Sequence, residues 1–125
     1  MATNITTDEF NKKVFNMEDI DSDTGAIKLL GDKPVVIDFY APWCGPCKVL
    51  EPVFDKVSEE YEGKVDFYKV NIDEELDIAV AFGVRSVPMV LYLPTEGKGS
   101  MEVGAPSEDQ LKYYVDGLIE KSKVN

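Results

Sequence analysis

Residues 34–41, Pro-Val-Val-Ile-Asp-Phe-Tyr-Ala, are apolar at odd and even positions alike except for one aspartate, and no other segment constrains the fold as strongly. Side chains alternate across a strand, so a strand apolar on both faces must be covered on both, and helices on either side of a sheet supply that cover. The rest of the chain fits, because its segments alternate between period-2 and period-3.6 patterning, which predicts an α/β fold. Thr6 and Glu9 read as a capping box, and Phe10, Val14 and Met17 follow at helical spacing, predicting a first helix over about residues 7–17. Residues 18–33 read as a long surface connection carrying Glu18, Asp19, Asp21 and Asp23, with one helical turn expected over residues 26–30.

Beyond the central strand, Val49, Leu50, Val53, Phe54, Val57 and Tyr61 form one stripe of a long helix, which Pro52 should kink. Residues 64–72 alternate as a strand, and Leu76, Ala79 and Val80 line a short helix ended by Gly83. Residues 87–93 are the next apolar strand, and a turn through Gly97 and Gly99 returns the chain into a short strand over 100–103. Ser107 and Gln110 form a second capping box, opening a last helix on Leu111, Val115, Leu118 and Ile119. Phe15, Phe54 and Tyr114 fall on helix stripes as core residues.

Composition removes several classes of function. At 125 residues the chain is the size of one domain, and no apolar run approaches the ~20 residues a bilayer crossing needs. Its 13 basic against 24 acidic side chains give a net charge of −11, which repels nucleic acid and anionic lipid. Neither nucleic acid nor membrane is an expected partner. With no histidine and two cysteines, the chain cannot close a zinc site alone, nor can it run a histidine-dependent nucleophile. The N-terminal residues carry no basic region followed by an apolar stretch, so a cytoplasmic location is expected, with the mature form of an exported protein as the alternative.

Cys44-Gly45-Pro46-Cys47 lies between the buried strand and the long helix, the context in which a Cys-x-x-Cys is a dithiol redox centre. A sulfur at a helix N-terminus faces unpaired N–H groups and the positive end of the helix dipole, so Cys44 should ionise readily. Cys47, less than a turn further, can reach back to close a disulfide. Cys44 is expected to be exposed at the helix start and Cys47 to be shielded, with Val49 and Leu50 facing the core. Two unrelated buried cysteines, or half of a metal site shared between chains, are the alternatives. Asp38 interrupts the apolar strand six residues before Cys44, where burial should raise its pKa toward neutrality and let it hold or give a proton. An aspartate at a frayed strand end is the bland alternative.

Residues 38–48, Asp-Phe-Tyr-Ala-Pro-Trp-Cys-Gly-Pro-Cys-Lys, resemble the active-site segment of the thioredoxin family. Residues 82–88, Phe-Gly-Val-Arg-Ser-Val-Pro, resemble the family's approach to its cis-proline, and residues 103–105, Val-Gly-Ala, its substrate-facing glycine loop. Three departures stand out: Tyr40 where tryptophan is common, Met89 where threonine is common, and a longer connection over residues 18–33. The resemblance spans about residues 5–121 and implies a single thioredoxin domain over residues 1–125. Its implied architecture is a central five-stranded mixed sheet, in spatial order 1-3-2-4-5, flanked by four helices.

The same resemblance implies a general protein-disulfide reductase supporting redox homeostasis, in which Cys44 attacks and Cys47 resolves. Asp38 takes the role of the family's buried acid, with Lys69 beside it partly opposing the pKa rise; an ordinary exposed strand lysine is the alternative. Trp43, Gly45, Pro46, Val87, Pro88, Gly104 and Ala105 become a flat apolar docking surface, with Pro88 cis and the Val87 backbone free to pair with an extended substrate. Implied partners are disulfide-containing proteins and a flavin-containing, NADPH-dependent thioredoxin reductase. The chain itself should bind no cofactor or metal, the Cys44–Cys47 disulfide being its redox group, and it should be a monomer. Thiol oxidases and isomerases of this fold usually carry a histidine between the cysteines, where this chain has Gly45-Pro46. A redox-independent binding module is a rival of another class. The acidic run at 18–23 reads as a solvated loop, with partner recognition as its alternative.

Overall fold

In the computed structural model, which describes residues 2–122, the elements follow in the order β1 (Thr3–Asn4), α1 (Thr7–Lys13), a 3-10 turn (Met17–Asp19), β2 (Ile27–Lys28), β3 (Val35–Tyr40) and α2 (Gly45–Glu60). They continue with β4 (Asp66–Asn71), α3 (Leu76–Ala81), β5 (Met89–Leu93), β6 (Glu96–Gly97), β7 (Ser100–Val103) and α4 (Glu108–Ser122). The main sheet runs β1-β4-β3-β5-β7, which is 1-3-2-4-5 when its five strands are counted along the chain. β3 pairs in parallel with β4 and antiparallel with β5, while β1 joins β4 in parallel and β7 joins β5 antiparallel, so the sheet is mixed as expected.

β3 is central because both its faces are apolar. Val35, Ile37 and Phe39 point into a core with Phe10, Val14 and Phe15 from the α1 region and Ile78 from α3. On the opposite face Val36 packs with Leu50, Phe54 and Val57 of α2 and Leu111, Val115 and Leu118 of α4. Phe54 is fully buried and meets Phe67 edge to face, with ring centroids 5.4 Å apart. Cutting it to alanine would destabilise the fold by about 3–5 kcal/mol through lost transfer energy and the cavity left behind. Both capping boxes form: Thr6 and Glu9 exchange bonds of 3.0 and 3.1 Å, Ser107 and Gln110 bonds of 3.0 and 3.2 Å. α2 continues through Pro52, whose missing N–H leaves only the Lys48 carbonyl without its helical donor.

Several elements differ from the sequence expectation. α1 stops at Lys13 instead of reaching Met17, because Asn16 caps a separate 3-10 turn and the Leu30 N–H takes the Val14 carbonyl at 2.8 Å. Residues 26–30 are not helical. β2 pairs antiparallel with β6, and Ile27 and Leu29 are buried while Lys28 and Leu30 face solvent, a period-2 pattern that ties the long connection to the core. In α3 the buried residues are Ile78 and Ala79, with Phe82 stacked edge-on near Phe10 and Phe15, whereas Leu76 and Val80 are exposed. Val49 is likewise exposed, and Tyr114 is 44% exposed, lying over Tyr92 instead of in the core.

Candidate active site

β3 delivers the chain to the C-terminal end of the central strand at Tyr40, and residues 41–43 carry it over to the start of α2. Cys44 is the N-cap of that helix, in extended conformation, and its sulfur accepts the Cys47 N–H at 3.2 Å. Gly45 and Pro46 occupy the first turn, where a proline's missing N–H leaves nothing unsatisfied. The two cysteines are joined as a disulfide with their Cα atoms 5.3 Å apart. The helix-start placement is as read from sequence, but the contrast in exposure is not: Cys44 and Cys47 are each 4% exposed. Both pack with Ala41 against Tyr40, Ile72 and Val87, so the turn that caps the helix is folded down onto the ends of the central strands.

The other residues expected at the docking surface include two pairs that arrive from separate loops. Val87 and Pro88 are joined by a cis peptide bond just before β5, and Val87 packs against the cysteine cluster. The Pro88 carbonyl accepts the Gly104 N–H at 2.9 Å, which holds the end of β7 beside the proline. Gly104 has φ of +100°, a backbone conformation L side chains rarely adopt, so glycine sits there without the strain another residue would carry. Ala105 follows it on the surface. Trp43 is 70% exposed, and its indole N–H donates to the Asp73 carboxylate at 3.0 Å. Asp73 is thus a site residue that sequence reasoning missed, since nothing in periodicity links a loop aspartate to an aromatic thirty residues earlier.

Asp38 is 2% exposed, and its Oδ1 has no hydrogen-bond partner. Burial pushes its carboxyl up to about 7, with Lys69 opposing the rise and Glu51 and Asp55 adding to it. Strand register sets Asp38 directly opposite Lys69, so the two are neighbours as expected. Yet the Lys69 ammonium turns to α2, 3.1 Å from Asp55 and 3.4 Å from Glu51. A pocket of about 160 Å³ opens between Asp38 and Cys47, with Tyr40, Glu51 and Lys69 in its walls. Its volume is large enough for water beside the buried residue. Tyr40 closes one wall, its hydroxyl donating to Asn4 at 2.6 Å.

The acidic residues 18, 19, 21 and 23 are all exposed, and Asp21 holds a turn by accepting the Asp23 and Thr24 N–H groups at 2.9 and 3.0 Å. Among the described residues no helix is long and apolar enough to cross a membrane.

Comparison with known proteins follows the same geometry. The family model described as Thioredoxin matches residues 2–117. The chain is 47% identical over 115 residues to a thioredoxin of Borreliella burgdorferi, covering 92% of this chain and 95% of that one. It is 36% identical over 109 residues to a thioredoxin of Pseudomonas aeruginosa, covering 87% and 99%. Among solved structures, that of Malassezia sympodialis thioredoxin matches with a TM-score of 0.74 at 34% identity, over 95% of this chain and 91% of that one.

Proposed function

The chain belongs to the thioredoxin family, and from that premise we propose how its disulfide chemistry is shared among the residues of the site and what recharges it. It is a protein-disulfide reductase that works through the Cys44–Cys47 pair, taking disulfide-containing proteins as substrates and a reductase as electron source. In the proposed cycle the Cys44 thiolate attacks a substrate disulfide. One substrate sulfur leaves as a thiolate, and the other stays bonded to Cys44. Asp38 removes the Cys47 proton through water in the pocket they share, and the Cys47 thiolate then attacks the Cys44 sulfur. The second substrate sulfur leaves, both substrate sulfurs end as thiols, and the two electrons come from closing Cys44–Cys47. Lys69 tempers the proton affinity of Asp38.

Trp43, Gly45, Pro46, Val87, Pro88, Gly104 and Ala105 form the docking surface, where the backbone at Val87 pairs with an extended substrate segment. A flavin-containing, NADPH-dependent thioredoxin reductase restores the dithiol. The protein acts as a cytoplasmic monomer of one domain, with the disulfide as its redox group and no bound cofactor or metal. The observation carrying this reading is the closed cysteine pair at a helix N-terminus with a buried carboxyl in the adjoining pocket.

Insulin reduction driven by dithiothreitol tests activity without a partner, and a redox-independent binding module would show none. A reduction potential near about −270 mV, typical of thioredoxins, is expected; one near about −120 mV would reverse the direction of electron flow to that of a strong thiol oxidant.

A further inference from the structure

Lys69 is the only cation directly opposite Asp38 in the strand register, yet it makes no ion pair with it among the described residues. Its side chain is 12% exposed, and its ammonium lies between two carboxylates of α2, Asp55 at 3.1 Å and Glu51 at 3.4 Å. Glu51 stands one helical turn beyond Cys47, outside residues 38–48 that carry the family resemblance, and it also lines the pocket that joins Cys47 to Asp38. One side chain therefore touches both the pocket and the ammonium.

We propose that Glu51 is a positioning residue for the proposed proton carrier: by anchoring the Lys69 ammonium on α2, it keeps that charge off Asp38. The inference rests on Asp38 serving Cys47. The physical argument needs every charge that faces Asp38. β4 offers Lys69; α2 offers Glu51, Asp55, Lys48 and, when reduced, Cys47; β3 itself offers the Tyr40 phenol. β5 sets apolar Val90 opposite, and α4 contributes Leu111, Val115 and Leu118 to that layer. Lys69 is therefore the close cation able to stabilise an ionised Asp38, and where its ammonium rests decides how strongly it does so. Removing the charge of Glu51 acts twice in one direction. A nearby negative charge disappears, and Lys69 loses one of its two anchors and can lean toward Asp38. Asp55 alone then competes for the ammonium.

The test follows the Asp38 carboxyl by carbon NMR in the oxidised protein, where the cysteines do not titrate, with Asp38→Asn identifying the resonance. Glu51→Gln should lower the titration midpoint by about half a pH unit or more, roughly a threefold rise in the acid dissociation constant. The acid limb of the single-turnover rate of mixed-disulfide resolution should move down in pH by the same amount. Glu59→Gln, an exposed acid on the same helix, should leave the midpoint in place. In a Lys69→Met background the effect of Glu51→Gln should shrink by half or more, because Glu51 would have no ammonium to hold. An unmoved midpoint, a shift matched by Glu59→Gln, or an undiminished shift without Lys69 would overturn the proposal. A midpoint that moves while the resolution profile stays fixed supports the anchoring and refutes the role of Asp38 as base, so the two readings fail separately.

Discussion

Replacing Asp38 by asparagine should make the protein more stable at alkaline pH and slower in turnover, and the size of the first effect follows from the site. Burial holds the folded-state carboxyl at about 7 against an ordinary value of 3.8. Between those values the folded protein keeps the proton and the unfolded chain has released it. Stability therefore falls as pH rises through the window, by about 1.4 kcal/mol per pH unit, and the loss is complete above about pH 7. Summed over the window the loss is roughly 4 kcal/mol, of which roughly 2–3 kcal/mol falls between pH 5 and pH 8. Asparagine removes this dependence but buries an NH2 group in a site where Oδ1 already has no partner, a pH-independent cost of about 1–3 kcal/mol. The variant should then exceed the parent by roughly 1–3 kcal/mol at pH 8. More decisively, its advantage should grow by roughly 2–3 kcal/mol from pH 5 to pH 8, whatever the amide costs. Urea unfolding of both oxidised proteins at several pH values measures this difference, in which the other titrating groups cancel. A gap that stays constant across that range would refute the reasoning.

Cys47→Ser should accumulate mixed disulfides with substrates on a non-reducing gel, whereas Cys44→Ser should trap almost none; comparable yields would show that the roles are assigned wrongly. Gly104→Ala should destabilise the fold by about 1–2 kcal/mol through its positive φ, because no atom lies within 4 Å of the added Cβ to clash with it. The same change should slow insulin reduction by shifting the loop that Pro88 holds, and thermal unfolding alongside the insulin assay checks both effects. Neutralising Glu18, Asp19, Asp21 and Asp23, with asparagine at 21 to keep its turn bonds, should flatten the salt dependence of the reductase on-rate. Dithiothreitol-driven insulin reduction should barely change, and identical salt slopes would make the loop only a solvated connection.

What the sequence disclosed and what it hid divide along a physical line. β3, α2 and the helix-start cysteines were legible because they rest on local rules: alternation, a helical stripe, a cap. The burial of Asp38 was legible for the same reason, since its neighbours on either side are apolar. Short elements were not. β2 and β6 hold two residues each, too few for any period to register, and their pairing is a contact between residues far apart in the chain. In α3, Leu76, Ala79 and Val80 read as the buried stripe from their i, i+3, i+4 spacing, and of these only Ala79 is buried, beside Ile78: the helix is only six residues long and Phe82 sets its buried side. The destination of the Lys69 ammonium was equally hidden. Strand register brings it opposite Asp38, while the carboxylates that capture it lie 18 and 14 residues earlier on another element, a pairing no local pattern records.

The equal burial of the two sulfurs moves the basis of the division of labour proposed for them from exposure to direction. Cys44 is the N-cap, so its sulfur already accepts the Cys47 N–H and lies at the positive end of α2; a thiolate there needs no other partner. Cys47 sits inside the first turn and lines the pocket with Asp38. In the proposed cycle its proton passes to the carboxyl that lines the same pocket. That ordering suits a two-step exchange. In the proposed cycle the sulfur at the helix start attacks first, and the other becomes a nucleophile when Asp38 accepts its proton. A carboxyl held at an ordinary acidic value would stay ionised at neutral pH and would be too weak a base to retain that proton. One held at about 7 can both accept it and release it, the property the proposed cycle asks of the aspartate on the central strand.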